Sequence, residues 1–301
     1  MTIFDQTAAG WVESARFDVT QPKGQCFGRG TPSVALAGDL VVVGSTNGQK
    51  LEGKVVMYEA VGGGWIPTLP DVATESKAPG ASVATDGDWV FAGDPNQGKG
   101  VVHAYRKVGG VWALEAPILS PAETYGEFGA SLSFDGQRLL VGARTAKRAY
   151  VFELSGGAWT KTAELAPSEA DPWAFGGSVH LSGATALVVG QRPGAVAAWV
   201  DVFTLTSGVW VQTGTLRPFS DIPGIEDGTY ERFGDHLALQ GDTLLVGGDT
   251  QVFFYHRSGD TFAPLSKTPR WKGYEHSMPV AFAGDLAFAR GQWIASPCSA
   301  P

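Results

Sequence analysis

The sequence predicts an all-β chain: a six-bladed β-propeller with four antiparallel strands per blade, closed by N-terminal strands that complete the C-terminal blade. Three observations predict it. A small-apolar pattern ending in Gly returns six times, an aromatic pair at fixed spacing returns six times, and the two ends of the chain are out of phase with the repeat.

The Gly anchors are Gly38, Gly87, Gly136, Gly183, Gly241 and Gly284, at spacings of 49, 49, 47, 58 and 43 residues. About 50 residues suit one four-stranded blade. Before each anchor runs an alternating strand whose apolar column reads Val34, Val83, Leu132, Val179, Leu237 and Val280. Period-two alternation marks it as strand A. After the anchor comes a second apolar run, such as Leu40 to Val43 or Leu139 to Val141, closed by Gly44, Gly93, Gly142, Gly190 and Gly247. This is strand B, joined to A by a tight hairpin. In the sixth repeat Arg290 stands at the closing position, with Gly291 next.

Strands C and D follow from the aromatic pair. Phe4, Tyr58, Tyr105, Phe152, Phe203 and Tyr255 are each followed seven residues later by Trp11, Trp65, Trp112, Trp159, Trp210 and Phe262. Gly-rich or small polar turns separate the two columns, so C and D form a second hairpin. Aromatics at a fixed place in every repeat read as packing between blades rather than as ligand platforms. Residues 1–18 supply a C–D hairpin with no A or B before it, while 276–295 supply A and B with nothing after. Joined, they make one blade and leave no open sheet edge at the seam. The expected blades are therefore 27–72, 77–119, 127–166, 174–217, 232–268, and 276–295 with 1–18, in a single domain over 1–301.

Composition agrees with this reading and excludes several functions. The 41 Gly, 18 Pro, 16 Phe and 10 Trp describe short strands, tight turns and an aromatic core. A formal net charge of −8 disfavours nucleic acid, whose phosphates require a concentrated basic field. No stretch reaches the ~18 to 20 apolar residues that span a bilayer, so membrane insertion is not expected. The start, Met-Thr-Ile-Phe-Asp-Gln, lacks the pattern of a secretory signal. The expectation is cytoplasmic residence or release without a classical signal peptide.

The segments Phe128-Gly129-Ala130, Phe175-Gly176-Gly177 and Phe233-Gly234, followed by runs such as Leu-Leu-Val-Gly-Ala and Tyr-Val-Phe, resemble FG-GAP repeats. Those are the blade units of integrin α-subunit propellers and many microbial proteins. Nearly the whole chain shares the likeness, which implies architecture more than activity. Two repeats depart from it: Phe27-Gly28 sits three residues early, and Pro79-Gly80 replaces Phe-Gly. Some blades of that family bind calcium through an Asp-x-Asp-x-Asp-Gly loop. This sequence has none, so calcium is not carried over, and no motif implies a metal or another cofactor.

Strands that alternate in direction put the A–B and C–D turns on one face of the ring and the B–C and D–A connections on the other. The first face has short repetitive turns that offer a ligand little beyond backbone. The second has variable loops on a rigid scaffold, where binding residues concentrate. Its D–A connections carry Tyr125, Trp173, Tyr230, Trp271 and Tyr274, with Glu127, Asp171 and Glu231 beside them, and the B–C loops add Arg144, Arg192, Asp249 and Trp293. An aromatic plane beside carboxylate and guanidinium groups suits a sugar, whose C–H face stacks while its hydroxyls need fixed polar partners. Capping of blade ends is the structural alternative for each aromatic.

His180 and His236 share parity on neighbouring A strands, which places them near the channel or at one blade interface in a structural role. Cys26 and Cys298 fall on the same face near ring closure, and a disulfide would form if their Cα atoms approach within about 7 Å. The leading functional expectation is a multivalent, non-catalytic, lectin-like carbohydrate binder. A protein-interaction module of the integrin-propeller type is the second. A hydrolase with its site at the channel mouth is the third, although the Ser-x-Asp-x-Gly-x-Thr-Trp boxes of propeller sialidases are missing from the sequence. The expected partner is a glycan or a protein, and oligomeric state is not legible.

Overall fold

A computed structural model of the chain describes residues 2–7, 10–16, 33–46, 53–68, 79–170, 172–191, 198–219, 232–269, 279–283, 286–289 and 292–295. Two compact units divide it, Met1–Ser120 and Pro121–Pro301. All regular structure among the described residues is β, and every strand pairing is antiparallel.

The first unit opens with a hairpin of β1 (Thr2–Thr7) and β2 (Gly10–Arg16), which form a two-stranded sheet. Next comes a four-stranded meander, β3 (Ser33–Ala37), β4 (Leu40–Thr46), β5 (Gly53–Val61) and β6 (Gly64–Pro67). A second meander holds β7 (Ser82–Thr85), β8 (Trp89–Asp94), β9 (Val101–Val108) and β10 (Val111–Leu114), with β11 (Ile118–Leu119) returning to β9. Pro117, which has no N–H to give the ladder, stands in the break between β10 and β11.

The second unit repeats the meander three times. Its first sheet is β12 (Phe128–Phe134), β13 (Arg138–Ala143), β14 (Arg148–Ser155) and β15 (Ala158–Leu165). The next is β16 (Ala174–Ser182), β17 (Thr185–Gln191), β18 (Trp199–Thr206) and β19 (Val209–Leu216). The third is β20 (Leu237–Gln240), β21 (Thr243–Gly247), β22 (Val252–Ser258) and β23 (Thr261–Lys267). Last come β24 (Val280–Ala283), β25 (Leu286–Ala289) and β26 (Gln292–Ala295) in one three-stranded sheet. Here the structure corrects the sequence reading. The sixth repeat was expected to end after strand B, with Trp293 in a loop. Instead β26 pairs with β25, and the register sets Trp293 opposite Phe288. The signal in the sequence was a turn-favouring Gly291 ahead of a short apolar run.

The B strand β17 is an unbroken apolar run because neighbouring sheets cover both of its faces. Val188 and Ala186 pack toward β14 and Phe175, while Leu187 and Val189 pack toward Phe233, Val246 and Phe253. The same arrangement joins Leu40, Val42 and Met57 to Val90, Ala92 and Tyr105 in the first unit. Each such side chain contributes about 1.5–3 kcal/mol on burial. The Trp column does pack between sheets: Trp112 is buried and donates from Nε1 to Glu59 Oε1 of the preceding sheet at 2.7 Å. Phe262 lies in the core between the second and third sheets of its unit.

A recurring polar clasp explains the Gly columns. Gly80, Gly129, Gly176 and Gly234 all have positive φ, at 92°, 88°, 83° and 92°. Pro79-Gly80, which departs from Phe-Gly in sequence, therefore keeps its conformation. This backbone turns the glycine carbonyl toward the preceding sheet, where Ser33 Oγ donates to Gly80 O at 3.0 Å and Ser131 Oγ to Gly176 O at 2.8 Å. The B-strand glycines Gly44 and Gly142 leave the space: a Cβ on either would overlap that carbonyl oxygen.

Two substitutions test the clasp. Gly142→Ala should destabilise the protein by about 2 kcal/mol through overpacking, and Ser131→Ala by about 1 kcal/mol through the lost hydrogen bond. Both are read as a lower denaturation midpoint at unchanged slope. A Gly142→Ala protein as stable as its parent would remove the argument.

Candidate functional site

In the second unit the D–A and B–C loops meet, as the face assignment requires. Tyr125, Gly126 and Glu127 lead into β12, and Arg144, Thr145 and Ala146 follow β13. Ala146 N donates to Gly126 O at 3.1 Å, and a Cβ on Gly126 would stand 2.6 Å from Ala146 Cβ, so only glycine lets the loops pack this closely. Glu127 adopts φ 57°, a left-handed conformation uncommon for a side-chain-bearing residue. Such strain persists where the surroundings over-determine it.

Those surroundings are its own hydrogen bonds. Arg144 grips Glu127 through both arms of its fork, Nε to Oε2 at 2.7 Å and Nη2 to Oε1 at 2.9 Å. Thr145 Oγ1 donates to Oε2 at 2.7 Å, and Tyr125 adds a further hydrogen bond. The Arg144 hydrogen bonds hold the Glu127 carboxyl below the usual carboxylate range, against the opposing effect of burial. Burial, then the Glu127 charge, pushes the Tyr125 hydroxyl up. The same pair raises Arg144. Arg144 O also accepts from Phe175 N of the next sheet at 3.3 Å, which ties the loop to the scaffold.

Trp173, just before β16, is 66% exposed, and its N–H donates to Gln191 O at 2.8 Å. Ser168 in the same D–A connection is anchored by the buried carboxylate of Asp201, which accepts from its backbone N at 2.8 Å and from its hydroxyl at 2.7 Å. Asp249 lies 3.9 Å from Arg232 Nε, so the third sheet also joins its D–A and B–C loops. Asp171, Arg192, Tyr230, Glu231, Trp271, Tyr274, Cys26 and Cys298 lie outside the described residues, and Trp293 is described only by its place in β26.

A cleft of about 110 Å³ opens beside Arg144, lined also by Ser178, Gln191 and Asp235 over Ala174, Gly177 and Val189. Sequence reasoning missed these three polar residues. Ser178 and Asp235 follow Phe-Gly pairs and read as architecture, and Gln191 follows a closing Gly. The A–B turns also differ from expectation. In the first unit a groove of about 440 Å³ runs between A–B turns past Asp39, Asp86 and Asp88 and the Lys107–Glu59 ion pair. Among the described residues no three His, Cys, Asp or Glu side chains gather as a metal site would require.

His180 lies opposite Leu187 in the ladder, on the face turned toward the following sheet. Burial lowers its pKa to about 4 and lowers that of His236 as well. The folded protein thus binds fewer protons than the unfolded chain between pH ~6.5 and ~4. His180 contributes stability above that window and loses it as pH falls through it. Comparing melting temperatures at pH 7 and pH 4.5, His180→Leu should flatten the pH dependence by about 2–3 kcal/mol. An unchanged slope would sink this reading.

No family model matches the chain, and no curated protein does. Solved structures do. A protein from Lactobacillus plantarum aligns at TM-score 0.60 and 16% identity over 98% of this chain and 89% of that one. A functionally unknown protein from Desulfotomaculum acetoxidans aligns at 0.56 and 14% over 78% and 69%. A proposed 6-phosphogluconolactonase from Bacteroides uniformis aligns at 0.54 and 13% over 78% and 72%. These neighbours are β-propeller-type folds, and identities this low carry the fold alone. The chain is an all-β protein of propeller-like architecture. No described helix is long and apolar enough to cross a membrane.

Proposed function

We propose that the protein is a non-catalytic glycan-binding propeller that uses the face built from B–C and D–A loops. One observation carries the reading. Of the aromatic side chains whose burial is described, only Tyr125 and Trp173 are largely exposed, at 48% and 66%, and both stand on D–A connections. Large aromatics left in water beside fixed polar groups are the usual marks of a recognition surface. Beside them stands the Glu127–Arg144 pair, held in one geometry by its bidentate bonds. Sugar recognition needs both elements, a plane for C–H stacking and rigid donors and acceptors. Repetition of the loops around a ring would add avidity to weak single sites.

The proposal includes a six-bladed ring of FG-GAP-like repeats over 1–301, whose ends share one blade. Support comes from the six-fold recurrence in sequence and from β3, where Val34 is 55% exposed although its counterpart Val83 is buried. A closed ring gives that face a cover.

Two experiments test the proposal. On a glycan array, the parent should bind a defined set of sugars, and Trp173→Ala or Tyr125→Ala should each weaken binding about 10-fold without lowering the melting temperature. An empty array would end the glycan reading and turn attention to a protein partner. For the ring, removal of residues 1–18 should lower the melting temperature of the whole protein by about 5 °C or more. A truncated chain that melts like its parent would refute shared closure.

A further inference from the structure

The cleft beside Arg144 brings together four polar side chains of different character. Glu127 fixes the first of them. Its two oxygens already accept two bonds from Arg144, one from Thr145 and one from Tyr125, so the carboxylate has no capacity left for a ligand. Its effect is to aim the guanidinium, whose Nη1 donates no hydrogen bond among the described residues. Glu127 is therefore a positioning residue, not a contact.

Ser178 and Gln191 are the second and third. Ser178 occupies the repeat position of Ser33 and Ser131, which clasp the next sheet's glycine carbonyl. Here that clasp is replaced: Gly190, the counterpart of Gly44 and Gly142, faces the Trp199 indole instead of a carbonyl oxygen. Among the described residues neither the Ser178 hydroxyl nor the Gln191 carboxamide has a hydrogen-bond partner, and both line the cleft. Asp235 is the fourth, a carboxylate on the same cleft.

Charge and size choose the ligand. A carboxylate placed here would meet Asp235, and an ammonium group would meet Arg144. A hydroxyl satisfies both, since it donates to Asp235 while accepting from Arg144, Ser178 or Gln191. At about 110 Å³ the cleft is well below the ~300–1,000 Å³ of drug-sized sites, which limits it to the edge of one ring. Gly177 keeps its floor open, with the position of a Cβ only 3.3 Å from Arg144 Cδ.

We infer that the Arg144–Ser178–Gln191–Asp235 cleft is the subsite that reads vicinal hydroxyls of one neutral pyranose residue, with Glu127 as its positioning residue. The inference rests on the glycan reading and narrows it to a substrate class and a place. Calorimetric titration of the intact protein with methyl glucoside, galactoside and mannoside, glucuronate and alanine tests it. At least one methyl glycoside should bind. Ser178→Ala and Gln191→Ala should each weaken it about 3- to 10-fold. Gly177→Val, which fills the floor and presses on the Arg144 side chain, should abolish it, with melting temperatures retained. Glu127→Gln and Arg144→Lys should weaken it non-additively, because both act through one guanidinium.

The outcomes separate the two claims. If Trp173→Ala abolishes glycoside binding while the three cleft variants leave it unchanged, the subsite is overturned and the glycan reading stands. Binding of glucuronate or alanine in place of the neutral glycosides overturns the substrate class. Should no glycoside bind here and no glycan bind on the array, both claims fall together.

Discussion

The structure depends on how closely one sheet's B strand approaches the start of the next sheet's A strand. At Gly44 and Gly142 the contact is backbone against backbone, with a serine hydroxyl bonded to the carbonyl that a side chain would displace. Hydrophobic burial between the sheets is non-directional, so by itself it would let adjacent sheets slide. The hydroxyl–carbonyl bond has a direction and a length. At these two seams it fixes one sheet against the next, and at the second it does so beside the loops of the candidate site.

That placement connects scaffold and surface. Phe175, whose ring anchors the core between two sheets, sits beside the Gly176 carbonyl that Ser131 holds, and its own N–H donates to Arg144 O. The strained backbone of Glu127 and the direction of the Arg144 fork are thereby referenced to a packed core rather than to a free loop. A guanidinium held this way loses little entropy when it binds, which is the condition for useful affinity from a shallow site.

Much of the fold was legible in the sequence because its signals repeat. Gly38, Gly87, Gly136, Gly183 and Gly241 all occupy A–B turns at positive φ, and four C–D turns pair two left-handed residues, with Ser207 at φ 50° in place of glycine in one of them. Strand β26 was missed because Gln292–Ala295 is four residues long and occurs once; a single short run has no counterpart to confirm it. In the site, Tyr125, Glu127, Arg144 and Trp173 stood out as departures from the repeat. Ser178, Gln191 and Asp235 did not. A residue inside a repeat column looks structural, and only coordinates reveal that Ser178 has left the clasp that its counterparts make.

That change of partner suggests how a repeat architecture acquires specificity at little cost in stability. Each clasp hydroxyl satisfies one carbonyl and contributes about 1 kcal/mol net, small against the burial that joins adjacent sheets. At Gly190 the large indole of Trp199, its ladder partner in the same sheet, fills the space, and the serine lines the surface cleft. A site formed in this way belongs to one seam between sheets rather than to every blade, so the repeats share a scaffold while their surfaces differ.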